Sequence, residues 1–317
     1  MDPSAAVPAC PSCGAMSAEA VPPGTEMICP QCGTSFVHRV PFGRYLVEQK
    51  LGAGGMATVY LAFDPPARRW VALKIIHRGH LNTPGFQENL LQEAETLLSL
   101  HHPNIVEFLD SGQHDSLVYL ATEFLQGGNL EQRIAAHGPM GEAEALDLGR
   151  GIASGLKKAY AQGLVHRDIK PANILFSPVG HPKLVDFGLC LPSLAPQENA
   201  GEVWGTAGYL PPERLERAPE GFASDIYSLG ATLFHALTGR APHLEQDLEK
   251  VARRYEEGGE GPPPPLRSVA PHVSEETAAI IDRALQRRPE DRFGSYEELL
   301  EALALAKIAY WKKAKPE

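Results

Sequence analysis

The sequence predicts an α+β chain preceded by a small metal-binding module, and three observations carry that reading. Short β-branched and aromatic runs at residues 45–47, 59–61, 71–74 and 117–122 read as strands. From residue 142 onward apolar residues recur at helical spacing, first as Ala145, Leu148, Ile152, Leu156 and Ala159. Ahead of both, four of the five cysteines fall in two Cys-x-x-Cys-Gly pairs.

A chain of 317 residues can hold one large domain or two medium ones plus a small module. Apolar residues make up 43% of it, enough for a sizeable core. The formal net charge of -10 argues against a general nucleic-acid or anionic-membrane binder. No apolar run reaches the length of a membrane span, and the N-terminus lacks a basic-then-apolar signal pattern. The expectation is a soluble cytoplasmic protein with no nucleic-acid partner.

Residues 1–40 read as a zinc ribbon. Cys10-Pro-Ser-Cys13-Gly14 and Cys29-Pro-Gln-Cys32-Gly33 are two knuckles that each turn sharply and aim two thiolates at one centre. Four thiolates suit tetrahedral Zn²⁺, and so short a segment rarely folds without such a staple. Two disulfides, or a redox dithiol, are the competing reading. Arg39 is the only Lys or Arg in the segment, so its role is structural or protein docking rather than phosphate binding. Pro22, Pro23 and Gly24 read as a hairpin tip.

The chemistry concentrates in His166-Arg167-Asp168-Ile169-Lys170-Pro171-Ala172-Asn173 and in Asp186-Phe187-Gly188. Asp168 can accept a hydroxyl proton, Lys170 can neutralise phosphoryl oxygens, and Asn173 and Asp186 can hold Mg²⁺ through oxygen. That set is what moving a phosphoryl group onto an alcohol requires. His166 reads as a satisfied core histidine and Phe187 as packing. The stretch resembles the catalytic loop of eukaryotic-type protein kinases, His-Arg-Asp-x-Lys-x-x-Asn. The glycine loop and His-Arg-Asp-Ile-Lys-Pro-Ala-Asn resemble bacterial members.

The resemblance covers about residues 43–307, leaving 308–317 as a tail. It implies a two-lobed protein kinase fold, a small β-rich lobe (about 43–123) and a larger helical lobe (about 126–307), with ATP between them. The implied activity is transfer of the ATP γ-phosphoryl group to serine or threonine hydroxyls of proteins, with Mg²⁺ or Mn²⁺. The alternatives are a catalytically silent scaffold, or a ribbon-centred docking protein whose kinase activity is secondary.

Within the first lobe, Leu51-Gly52-Ala53-Gly54-Gly55-Met56-Ala57-Thr58-Val59 resembles the kinase glycine loop, with Gly52, Gly54 and Val59 in place and Ala57 where a third glycine stands. Small residues let backbone N–H groups approach phosphate oxygens. Lys74, in the strand Val71-Ala72-Leu73-Lys74, would hold the ATP phosphates as a point charge; otherwise it is an edge-strand gatekeeper. Residues 84–100 read as a helix bearing its carboxylate partner. Periodicity does not choose between Glu93 and Glu95, and the resemblance favours Glu93. Thr122 would gate the pocket behind the adenine, which would bond backbone groups near Glu123 and Leu125.

In the second lobe, residues 142–162 read as an amphipathic helix weakened by Gly149, Gly151 and Gly155, which tertiary packing must hold. Thr206 would bond near Asp168 and Lys170. In the family, an Arg at the place of Arg167 often marks control through a phosphorylated activation segment. Ser193 is the available acceptor, and Glu198 and Glu202 read either as a partial substitute for phosphate or as solvated loop charges, while Cys190 reads as a packed thiol. The helix opening at Asp225 and stopping at Gly239 resembles the family's central helix, in which Asp225 binds catalytic-loop backbone. Residues 258–265 read as a surface loop. Arg292 would pair with Glu213, and residues 310–315 read as a solvated helix end.

Overall fold

The computed structural model describes residues 7–17, 19–77, 91, 94–187, 206–243, 250 and 263–314. The expectations for Glu93, Gly188, Cys190, Ser193, Glu198 and Glu202, for residues 84–90 of the expected helix and for residues 258–262, fall outside them. The chain divides into two compact units, residues 1–99 with 107–124, and residues 100–106 with 125–317.

The first unit is β-rich. β1 (Glu26–Ile28) and β2 (Ser35–Val37) form a hairpin with Met27 opposite Phe36. A six-stranded antiparallel sheet follows, built from β3 (Val40–Phe42), β4 (Tyr45–Ala53), β5 (Ala57–Asp64), β6 (Arg69–Ile76), β7 (Phe108–His114) and β8 (Leu117–Glu123), in the order β3-β4-β5-β6-β8-β7. Period-two alternation in β6 sends Val71, Leu73 and Ile75 into the core. Irregular register in β4, between Val47 and Gln49 and again between Lys50 and Gly52, leads into the glycine-rich turn. At the start of β4, the Tyr45 hydroxyl donates to the Asp110 carboxylate (2.7 Å), which also accepts from the Tyr119 hydroxyl (3.0 Å).

The ribbon hairpin differs from expectation in one respect. Its tip is the second cysteine knuckle, between β1 and β2, and residues 23–24 make a separate turn. There the Gly24 N–H donates to His38 O, φ is +85°, and a Cβ would lie 2.5 Å from Glu48 O. Only glycine fits that approach.

The second unit is helical: α1 (Leu130–His137), α2 (Glu142–Tyr160), α3 (Pro212–Leu215), α4 (Phe222–Thr238), α5 (Leu266–Val269), α6 (Glu275–Ala284) and α7 (Tyr296–Ala314), with a small β9 (Ile174–Phe176) and β10 (Pro182–Leu184) pair. Asn129 and Gln132 form a reciprocal capping box on α1. The α2 glycines are positions of close approach. A Cβ at Gly149, Gly151 or Gly155 would meet Leu233, Asn104 or Ile105 at 3.0, 2.7 and 3.1 Å, so packing recovers what helix propensity loses. α4 begins three residues before Asp225 and ends on Gly239 at φ 77°, a left-handed cap. α7 runs on through Ala314, and Lys313 pairs with Glu276 at 2.8 Å. The expected tail is therefore largely the last turns of a docked helix. No described helix is long and apolar enough to cross a membrane.

Arg292 is wholly buried and forks onto Glu213 through two 2.8 Å bonds. It also donates to the carbonyls of Ala223, Gln286 and Arg287 and lies over the Tyr227 ring. Burial alone would raise the Glu213 carboxyl, but hydrogen bonds and charge from Arg292, and a bond from Ser224, hold it below its ordinary value. The folded pKa is thus below the unfolded one. The pair's contribution is complete above the unfolded value of about 4.3 and is lost as pH falls through the folded value. Glu213→Ala strands a buried guanidinium and should cost about 3–5 kcal/mol at pH 7. Urea unfolding from pH 7 down to 3 should find that deficit shrinking with acid.

Candidate active site and metal centre

In the second unit the site is a backbone held out of its preferred conformation. Arg167 has φ 66° and Asp186 φ 62°, the left-handed region that a side chain ordinarily avoids. Asp225, buried in α4, accepts the backbone N–H groups of His166 and Arg167 at 2.8 Å each, and the Tyr296 hydroxyl at 3.3 Å. Burial pushes the Asp225 carboxyl up, and these donors oppose it by stabilising the anion. Arg214 donates to Arg167 O at 2.7 Å while paired with Glu220, so the loop is held from two sides. His166 is fully buried. Its Nε2 donates to Val185 O (3.0 Å), its Nδ1 accepts from the Asp168 N–H (3.2 Å), and Phe187 meets the ring edge-on at 4.7 Å. Both residues are packing elements, as their sequence context implies.

Asp168 follows directly. The Asn173 amide nitrogen donates to both its main-chain oxygen and its Oδ2, each at 2.8 Å. Lys170 Nζ lies 3.0 Å from the same Oδ2 and donates to Thr206 Oγ1 at 3.3 Å. Val185 N–H donates to Asn173 O (2.9 Å), which puts Asp186 one residue beyond this cluster in sequence. A carboxylate, an ammonium and an amide thus converge, and Thr206 ties the end of the intervening segment to them.

In the first unit Gly52 lies near the end of β4, opposite Val59, and Gly54 and Gly55 lie in the turn between β4 and β5. None has a positive φ, and a Cβ on any of them would meet nothing within 4 Å. The fold itself therefore makes no demand for glycine there. Ala57 is buried in β5 opposite Ile76, where a methyl group belongs. The sequence did not single out His77, yet its Nδ1 lies 3.1 Å from Gly55 O, its Nε2 2.9 Å from Thr58 Oγ1, and its N–H donates to Met56 O. Lys74 stands in register with Val59 of β5 and Leu120 of β8. β6 is an interior strand, so the edge-gatekeeper reading fails. The Glu123 N–H donates to Glu107 O (3.0 Å) and its carboxylate accepts the Glu107 N–H (2.8 Å); Leu125 is buried. Ala94 and Leu97 fill the core while Glu95 is exposed.

The cysteine cluster meets the stereochemistry of a metal. Cys10 and Cys32 sulfurs are 3.6 Å apart, Cys13 and Cys29 3.5 Å, and all four lie within 4.8 Å of one another. A disulfide needs about 2.05 Å, whereas a tetrahedron of sulfurs 2.3 Å from Zn²⁺ has edges of about 3.8 Å. The knuckles repeat the same backbone bonds, Gly14 N–H to Cys10 O and Gly33 N–H to Cys29 O, each with glycine at φ 74°. Hydrogen bonding by the Thr34 hydroxyl and backbone lowers the Cys32 thiol to about 6, favouring the ligating thiolate. Cys13, despite a lowering contact at Ala15, is pushed up to about 12 beside Cys32, the mutual cost of crowded thiolates that a divalent cation relieves.

Residues 45–303 match the protein kinase domain family. The chain is 35% identical over 257 residues to the serine/threonine-protein kinase PrkC of Bacillus subtilis, covering 81% of this chain and 39% of that protein. It is 32% identical over 262 residues to PknB of Mycobacterium leprae, covering 81% and 42%. It thus spans about two fifths of the length of these curated relatives. Among solved structures, the Mycobacterium tuberculosis PknI kinase domain superposes with a TM-score of 0.65 at 28% identity, covering 84% of this chain and 97% of that one. With the strained loop, its Asp225 anchor and the Glu213–Arg292 pair in place, the chain belongs to the protein kinase domain family.

Proposed function

We propose that this chain is a serine/threonine protein kinase that transfers the γ-phosphoryl group of ATP to protein hydroxyls. The observation that carries the reading is the convergence of Lys170 and Asn173 on the Asp168 carboxylate. Asp168 orients and accepts the proton of the attacking hydroxyl, and Lys170 offsets charge on the transferring oxygens. With its nitrogen committed to Asp168, the Asn173 amide would hold Mg²⁺ or Mn²⁺ through its oxygen, together with the Asp186 carboxylate. A divalent cation held there would supply positive charge against that developing on the phosphoryl oxygens. Glycines that the fold does not require, at Gly52 and Gly54, suit close approach of backbone to phosphates, beside Val59. Lys74, with Glu93 as its partner, holds the α- and β-phosphates, and Glu123 and Leu125 meet the adenine through their main chains.

The domain limits we assign are a ribbon over residues 1–40, a catalytic domain over about 43–307 and a short C-terminal remainder. In the ribbon, Cys10, Cys13, Cys29 and Cys32 hold a structural Zn²⁺. Four reduced thiols in so small a module suit a cytoplasmic location. The module's other role is docking of a protein partner.

Asp168→Asn keeps the shape of the loop but loses the base. It should lower phosphorylation of a generic protein substrate by about 100-fold or more, with nucleotide affinity retained. Equal incorporation of labelled phosphate by both proteins, or none by the unaltered chain, would favour the silent-scaffold alternative. Elemental analysis should find about one zinc per chain, lost in Cys29→Ser together with the ribbon's protection from proteolysis.

A further inference from the structure

We infer that His77 is a positioning residue that fixes the backbone of the glycine-rich loop for the phosphates of a bound nucleotide. The inference rests on the kinase reading above. His77 is the first residue beyond β6, and from that single position it reaches three of the four residues 55–58. Its main-chain N–H donates to Met56 O at 2.9 Å, adding a rung beyond the Ala57–Ile76 pair of the sheet. Its ring does the rest. Gly55 O can only accept, so Nδ1 carries the proton at 3.1 Å. In the neutral ring Nε2 is then the acceptor, and the Thr58 hydroxyl donates to it at 2.9 Å.

The loop needs such a brace. A Cβ on Gly52, Gly54 or Gly55 would meet nothing within 4 Å, and Gly54 and Gly55 lie beyond the last β4–β5 pair, Ala53 with Thr58. Glycine also loses the most conformational freedom on ordering. An unbraced loop would meet that entropic cost at the moment of binding, at the expense of affinity. Within the turn itself, Gly54 N–H donates to Ala57 O at 2.9 Å. His77 adds side-chain bonds from outside the turn, anchored on an interior strand. The brace acts on the segment that approaches phosphate, so it should favour phosphate-bearing ligands and leave adenosine almost untouched.

Calorimetric titration of the full chain with MgADP and with adenosine tests this. His77→Ala should weaken MgADP by about three- to tenfold, the range for one or two net hydrogen bonds, and adenosine by less than about twofold. Thr58→Val should produce the same phosphate-selective loss in smaller measure. His77→Asn should recover much of the affinity, because its amide nitrogen sits near the position of Nδ1 and can donate to Gly55 O. Unchanged MgADP binding in His77→Ala, or an equal loss for adenosine, would show a residue that merely supports the sheet and would overturn the inference. An unaltered chain that binds neither ligand would remove the kinase reading, and this inference with it.

Discussion

The second unit depends on one buried carboxylate meeting two main-chain N–H groups. Asp225 holds His166 and Arg167 by their backbones, and Arg167 there adopts a left-handed conformation that costs about 1–2 kcal/mol unaided. That twist sets the direction in which Asp168 leaves the loop. The anchor lies in α4, most of whose residues are buried, so the loop is referred to a helix deep in the unit. Desolvation makes such a carboxylate expensive, and its donors are backbone groups that would themselves need partners. Each end thus answers the other's requirement.

The same economy recurs around it. His166 spends both ring nitrogens on backbone, one on its own loop and one on Val185. Asn173 divides its amide nitrogen between the main chain and the side chain of Asp168. The polar groups nearest the chemistry are therefore oriented before any ligand arrives, which is the condition for electrostatic preorganisation. Glu213 and Arg292 close the far side, where a bidentate pair in a wholly buried setting draws the residues after Thr206 onto the helical body.

Much of this was legible in the sequence, because it is carried by residues with unusual chemistry at fixed offsets. β4, β5, β6, β8, α2, α4, the cysteine knuckles and the Asp168 cluster announce themselves through pattern or spacing, whereas β3, β7, β9 and β10 do not. Gly149, Gly151 and Gly155 were legible as a weakness but not as a solution, since their neighbours Leu233, Asn104 and Ile105 come from elsewhere in the chain. Lys74 could not be placed at an edge or an interior from its strand alone; sheet order decides that, and strands distant in sequence set it. His77 and Arg214 were missed because their contacts depend on register and on a long-range approach to Arg167 O, neither of which leaves a local signature. The hairpin tip was misplaced because a Pro-Pro-Gly run marks a turn without saying which strands it joins.

The ribbon's attachment has a consequence of its own. β2 ends at Val37 and β3 begins at Val40, and the intervening Arg39 is clasped to Glu48 and lies over the Trp70 ring. A tether that short does not behave as a flexible leash, whose benefit is a raised local concentration over a volume of reach. A partner docked on the ribbon would therefore meet the neighbouring sheet at a set bearing, so that shape and orientation, rather than mere nearness, would govern its fit.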